Sequence, residues 1–257
     1  MPYRFIFLFI LSSFIHSAYC SKTPLLRIAA ASDLKFALAD LIDQFSKELS
    51  PEQQKGEIQT ILGPSGKLFH QIKEGAPFDL FFSADVDYPH TLAKIHTEYE
   101  ILDYAIGRIV IWSEKYQIKE LIDLKDNKFK KIAIANPLYA PYGKKALEAL
   151  NSLGIYSEVK DRLVFAESIS HAAQFIHTEA TDAGIVALSL LLSGNLKLKK
   201  NFLIIPKIHH TPLVQGLILL NKKNNMAKNL FDFMKTPKAK LILKKYGFET
   251  TEDKNGY

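Results

Sequence analysis

From Leu26 onward, short apolar runs of strand length alternate with stretches whose apolar residues recur at helical spacing, and that alternation confines the chain to an α/β architecture. Leu26–Ala31 reads as a buried strand. Leu34, Ala37, Leu38, Leu41, Ile42 and Phe45 then share one face of a helix that starts at Asp33 with Ser32 as its N-cap. The same order returns at Glu57–Leu62, a strand that runs through Gly63-Pro64-Ser65-Gly66 into a helix carrying Leu68, Phe69, Ile72 and Lys73. Ala76-Pro77 breaks the chain before the apolar strand Phe78–Ser83. Further strands are expected at Arg108–Trp112, Lys131–Ala135, Leu163–Phe165, Ala183–Val186, Phe202–Ile205 and Val214–Leu220. Helices fit at Lys144–Leu153, Ser168–His177, Asn225–Met234 and Pro237–Tyr246, and Gly247 is a natural stop for the last of them.

The first 20 residues stand apart from this order. Arg4 precedes an apolar run from Phe5 to Leu11 that continues through Ser12 and Ser13 to Phe14 and Ile15, and Ala18-Tyr19-Cys20 follows. A charged start, a short apolar stretch and such an end fit a secretory signal peptide cut after Cys20. A run of about 11 apolar residues is too short to cross a bilayer, which needs roughly 20. A lipid on Cys20 is the competing reading, against which Tyr19 stands where a lipoprotein peptidase takes something small. If the cut follows Cys20, the single cysteine of the chain leaves with the leader, and disulfides, thiolate catalysis and cysteine–metal sites are excluded together. Loss of Arg4 takes the formal charge from +6 to +5, a modest excess that suits an anionic ligand or surface. Nucleic acid is not expected as a partner, because the densest basic run (Lys197, Lys199, Lys200) is short and no basic stripe with interleaved aromatics appears.

The remaining residues suffice for one large domain or two medium ones, and no linker, repeat or low-complexity tract divides them. Chemistry concentrates at the strand-to-helix turns. Ala30-Ala31-Ser32-Asp33-Leu34 and Gly63-Pro64-Ser65-Gly66-Lys67 each place a serine where the first N–H groups of a helix lack intrahelical partners and can receive an anion. A lone serine at such a turn usually does no more than cap its helix. A third turn, Asn136-Pro137 to Ala140-Pro141-Tyr142-Gly143, and a fourth, Glu167-Ser168-Ile169, follow later strands. The carboxyl ends of strands are where open α/β sheets bind ligands.

These stretches, together with Gly75-Ala76-Pro77-Phe78-Asp79-Leu80-Phe81-Phe82-Ser83-Ala84-Asp85, Ala183-Gly184-Ile185-Val186 and the terminal Lys245-Tyr246-Gly247-Phe248, run in an order that resembles the periplasmic molybdate-binding proteins of ABC transporters, from Leu26 to Phe248. The resemblance implies a type II periplasmic binding fold, two α/β lobes hinged around a ligand cleft. Residues 25–105 plus 215–257 would form lobe one and 106–214 lobe two, with crossovers near Tyr104–Gly107 and Thr211–Gln215. It implies a monomer without a cofactor that binds molybdate or tungstate and passes it to a membrane permease. Molybdenum would be held only as the oxyanion, with no direct protein ligands. The expected donors are the hydroxyls of Ser32 and Ser65 and the backbone N–H groups of Tyr142 and Ile169. Some members add a tyrosine hydroxyl at the position of Ala187, which has none here, and the Tyr142 hydroxyl is the expected replacement. Asp33 is expected to turn its carboxylate to solvent and offer only its backbone N–H, as an acid in a first helical turn can.

Two alternatives stay open at this stage. The same fold could hold another oxyanion such as sulfate or phosphate; phosphate, which keeps a proton, would reward an acceptor that only Asp33 supplies among the residues named. A periplasmic serine hydrolase using Ser32 or Ser65 is the other, but the chain has neither a Gly-x-Ser-x-Gly elbow nor a His-Glu-x-x-His motif. Its histidines, including His70, His90, His96, His171, His177 and the adjacent His209 and His210, fall mostly on polar faces or in loops, and two neighbours on an extended chain make a poor metal chelate.

Overall fold

The structure, a computed structural model, describes residues 25–95, 99–192 and 201–250. The expected leader with Cys20, the basic run at 197–200 and His96 lie outside these residues. The chain opens with β1 (Leu26–Ala31), a 3-10 turn (Ser32–Leu34) and α1 (Lys35–Ser46), then β2 (Ile58–Gly63), α2 (Ser65–Lys73), β3 (Leu80–Ser83), α3 (Asp87–Ile95) and β4 (Glu100–Gly107). A second group follows: β5 (Ile109–Trp112), β6 (Ile132–Ala135), α4 (Pro141–Ser152), α5 (Tyr156–Val159), β7 (Leu163–Ala166), α6 (Ile169–His177), β8 (Ala183–Ala187), α7 (Leu188–Leu191) and β9 (Phe202–Ile204). β10 (Leu213–Leu219), α8 (Asn225–Phe233) and α9 (Pro237–Lys245) complete the described chain.

The strands form two five-stranded sheets, ordered β2-β1-β3-β10-β4 and β7-β6-β8-β5-β9. Each has the same plan. β1 lies parallel between β2 and β3, as β6 lies parallel between β7 and β8, and two antiparallel strands complete each sheet. Inner strands such as β3, β5 and β6 are buried along their whole length, which is why they read as unbroken apolar runs, whereas the edge strand β2 is only partly covered. The first sheet reaches Gly107 and resumes at Leu213, so the chain crosses between lobes at Arg108 and again over 205–212.

Several elements depart from expectation. Ser32 does not cap α1: Ser32–Leu34 wind into the 3-10 turn, no side chain caps it, and α1 begins only at Lys35. β4 extends far beyond the short crossover expected at Tyr104–Gly107; as a sheet-edge strand with a half-covered first half, it carries no clean alternation. α3 and the four-residue α7 were not legible, the first because Pro89 sits in its opening turn, the second because a single turn has no period. α4 starts at Pro141, three residues before the expected Lys144, since proline suits a first helical position where no N–H is needed. His210, expected in a solvated loop, is buried with its Nδ1 on the Thr211 carbonyl.

Asp79, at the centre of the Gly75–Asp85 stretch, ties the first sheet together. Its Oδ2 accepts the Arg27 N–H at 2.7 Å and its Oδ1 the Asn221 amide at 2.8 Å, linking the start of β1 to the chain after β10. Asp79→Ala leaves both donors without that acceptor and should lower unfolding free energy by about 1–3 kcal/mol. Urea denaturation checks this, and an unchanged midpoint would show that water replaces the carboxylate.

Candidate functional site

β1 and β2 run parallel and in register to their ends, Ala31 opposite Gly63, so the turns carrying Ser32 and Ser65 emerge side by side. β6 and β7 end level in the same way, Ala135 opposite Ala166, and deliver the turns that begin α4 and α6. The two lobes are shut on one another: Gly66 N–H donates to the Tyr139 carbonyl at 2.9 Å, Ser170 N–H reaches Ser32 Oγ at 3.4 Å, and Ser189 Oγ donates to the Asp33 carbonyl at 2.8 Å. Lys67 and Glu167 add an exposed ion pair at 2.7 Å, a contact of small worth in water. Beside these turns lies an interlobe cleft of about 520 Å³, lined by Gly63, Pro64, Ser168, Ser170 and His171.

Ser32, Ser65, Tyr142 and Ile169 are all buried where the lobes meet. Neither serine caps a helix. Ser65 Oγ accepts the Ala84 N–H at 3.0 Å and Ser32 Oγ the Ser170 N–H, so each oxygen has a partner while its own proton remains to donate. The helix starts can be accounted for residue by residue. In α4, Pro141 has no N–H, and Gly143 and Lys144 both donate to the Ala140 carbonyl. In α6, Ser170 donates to Ser32, His171 to the Ser168 hydroxyl and Ala172 to the Ser168 carbonyl. Among the described residues this leaves one first-turn N–H in each helix without a protein acceptor: that of Tyr142 and that of Ile169. These helix starts offer donors without formal charge, suited to an anion stripped of water.

Asp33 and the Tyr142 hydroxyl do not take the places expected of them. Asp33 is only 1% exposed; its Oδ2 accepts from Gln215 Nε2 at 2.6 Å and from the Tyr142 hydroxyl at 2.9 Å, while Oδ1 meets no side-chain donor among the described residues. The Tyr142 hydroxyl also accepts from Gln215 Nε2 at 3.2 Å, and Tyr104 donates to Gln215 Oε1 at 2.6 Å. The proton of Tyr142 is therefore spent on Asp33 and does not stand in for the hydroxyl that Ala187 lacks. Burial holds both tyrosines well above their usual range, so they remain donors. Ala187, at the end of β8, is fully buried against Ile109. Sequence reasoning passed over Gln215 and Ser189. The signal was there, a lone polar residue inside the apolar runs Leu213–Leu219 and Leu188–Leu192.

Burial pushes the Asp33 carboxyl from its ordinary 3.8 to about 6, the amide of Gln215 and the hydroxyl of Tyr142 opposing the rise. Because the folded value lies above the unfolded one, the unfolded chain releases this proton first as pH rises. Stability from this group is thus fully present below pH 4 and is lost by about pH 6. Asp33→Asn, which keeps an acceptor and carries no charge, should melt higher than the wild type at pH 7.5, with the gap closing near pH 4. Calorimetric melting across that range tests it, and a gap that does not vary with pH would refute the buried-carboxylate account.

Comparison with known proteins agrees with this geometry. The family model for bacterial extracellular solute-binding proteins matches residues 26–249. The molybdate-binding protein ModA of Azotobacter vinelandii is 34% identical over 237 residues, 90% of this chain and 92% of its own length. ModA of Rhodobacter capsulatus is 32% identical, covering 86% of this chain and 90% of its own length. Among solved structures, the Azotobacter vinelandii periplasmic molybdate-binding protein superposes with a TM-score of 0.77 at 29% identity, over 87% of this chain and 98% of that one. The sulfate-binding protein SubI of Mycobacterium tuberculosis, at 15% identity and a TM-score of 0.69 over 88% of this chain and 87% of its own, shares the fold alone. With its two-lobed type II architecture and its unmatched helix-start donors, the chain belongs to the bacterial extracellular solute-binding protein family.

Proposed function

We propose that this protein binds molybdate, and tungstate with it, in the periplasm and hands the ion as a monomer to the permease of an ABC transporter. The observation that carries the reading is the residue-by-residue account of two helix starts: α4 and α6 each keep one N–H without an acceptor among the described residues, those of Tyr142 and Ile169. Ser32 and Ser65, from the opposing lobe, bring hydroxyl protons to the same interface. Donors from two lobes surround a tetrahedral ion better than donors from one, and they hold it without an opposing cation, so the ion is released when the lobes part. Relatives that bind molybdate, at 34% and 32% identity over most of the chain, support the choice of ion. Tungstate, with nearly the same size and charge, gives such a cage little to discriminate. Sulfate is smaller, and a cage of fixed radius holds it less well.

Molybdate at about 100 times its dissociation constant should add about 2.7 kcal/mol of stability, a melting shift of roughly 5–10 °C for a chain of this size. Sulfate and phosphate should shift the melt far less, and a larger shift with either would reassign the ligand. Ser32→Ala and Ser65→Ala each remove a hydrogen bond to a charged ion, about 1.5–3 kcal/mol, so isothermal titration should show affinity reduced roughly ten- to a hundredfold. Normal binding by either variant would return that serine to a structural role.

A further inference from the structure

Around Asp33 the side chains of both lobes meet in one buried cluster. Tyr142 comes from α4 in lobe two; Asp33 from the turn after β1, Gln215 from β10 and Tyr104 from β4 belong to lobe one. The cluster is shaped to receive the tyrosine. A Cβ at Gly107, the last residue of β4, would lie 2.3 Å from the Tyr142 hydroxyl and 3.0 Å from Gln215 Nε2, so the missing side chain is the space that the hydroxyl occupies. Gln215 is oriented from behind by the Tyr104 hydroxyl, which takes its carbonyl oxygen and turns its amide toward Asp33 and Tyr142.

We propose that Asp33 is a positioning residue for anion binding: with Gln215 and the bare Gly107 it forms a socket in lobe one that captures the Tyr142 hydroxyl of lobe two and so fixes the backbone N–H of Tyr142 on the ion. This rests on the oxyanion reading above. Tyr142 carries both ends of the device, since its N–H is the free donor of α4 and its hydroxyl is the plug. Two torsions join ring to backbone, so seating the hydroxyl leaves the amide little freedom. When the lobes part, water takes over as partner of the carboxylate and the hydroxyl; when they shut, each needs the other, because a buried polar group without a partner is unfavourable. The bond forms only on closure, so it slows release of the ion and leaves capture almost untouched.

The test is stopped-flow kinetics of molybdate binding, read by the fluorescence of the single tryptophan, Trp112, which lines the interlobe cleft. Tyr142→Phe and Asp33→Ala should each raise the dissociation rate roughly ten- to a hundredfold with little change in association. The double variant should be no worse than either single one, because both remove the same bond. Asp33→Asn, which retains an acceptor, should dissociate more slowly than Asp33→Ala, a rescue that general destabilisation does not give. Gly107→Ala should speed dissociation in the wild-type background and do so less in Tyr142→Phe, where the clashing oxygen is gone. Unchanged dissociation in Tyr142→Phe, or additive effects in the double variant, would overturn the proposal; if Asp33→Ala does not fold, the Gly107 and Tyr142 pair decides it alone. A wild type that gives neither a fluorescence change nor calorimetric heat with molybdate fails the oxyanion reading instead and takes this proposal with it.

Discussion

The first N–H groups of a helix have no acceptor within the helix, and the rest of this structure is arranged around where those groups go. In α4 and α6 most are taken by serine oxygens, by carbonyls of the preceding turn or by the opposite lobe. Those of Tyr142 and Ile169 are not. Register makes this possible: β6 and β7 end level, so α4 and α6 begin beside one another, and β1 and β2 do the same for the serines facing them. A shift of one residue in either pair would carry a donor to the other face of its sheet.

The site is economical in charge. Its expected donors are neutral, and the acid buried in the same layer is Asp33, with bonds running to α4 and β10. A buried carboxylate beside an anion site would ordinarily be a poor choice, since each disfavours the other in a low dielectric. The amide of Gln215 and the hydroxyl of Tyr142 offset part of that penalty.

Strand-to-helix turns could be read from the sequence because they depend on local order: an apolar run, a small or polar residue, then a helical period. Local order singled out the turns carrying Ser32 and Ser65 and those ahead of Tyr142 and Ile169, whose N–H groups only the family resemblance named, and β1, β6 and α6 fell where the pattern put them to within a residue. What pattern does not carry is pairing at a distance. Asp33 meets Tyr142 across 109 positions and Gln215 across 182, and no local rule says that the three share a pocket. An acid in a first turn is ordinarily solvated, so the expectation for Asp33 followed from a sound rule whose premise, exposure, failed here. β4 was misjudged for a related reason, since its partner strand β10 lies more than a hundred residues further along the chain.

The second sheet is built wholly from one continuous stretch, β5 to β9, whereas the first is split and gains its fifth strand only when β10 returns. Contacts close in sequence form before distant ones, because less chain entropy is lost in closing the loop. Lobe two can therefore condense as soon as its own residues are available, while β4 has no strand to join it to β1, β2 and β3 until the chain has been made as far as Leu219. In synthesis or export from the N-terminus, the first lobe to appear is thus the last to finish. Its unpaired β3 and β4 edges are the surfaces most open to wrong partners in the interval.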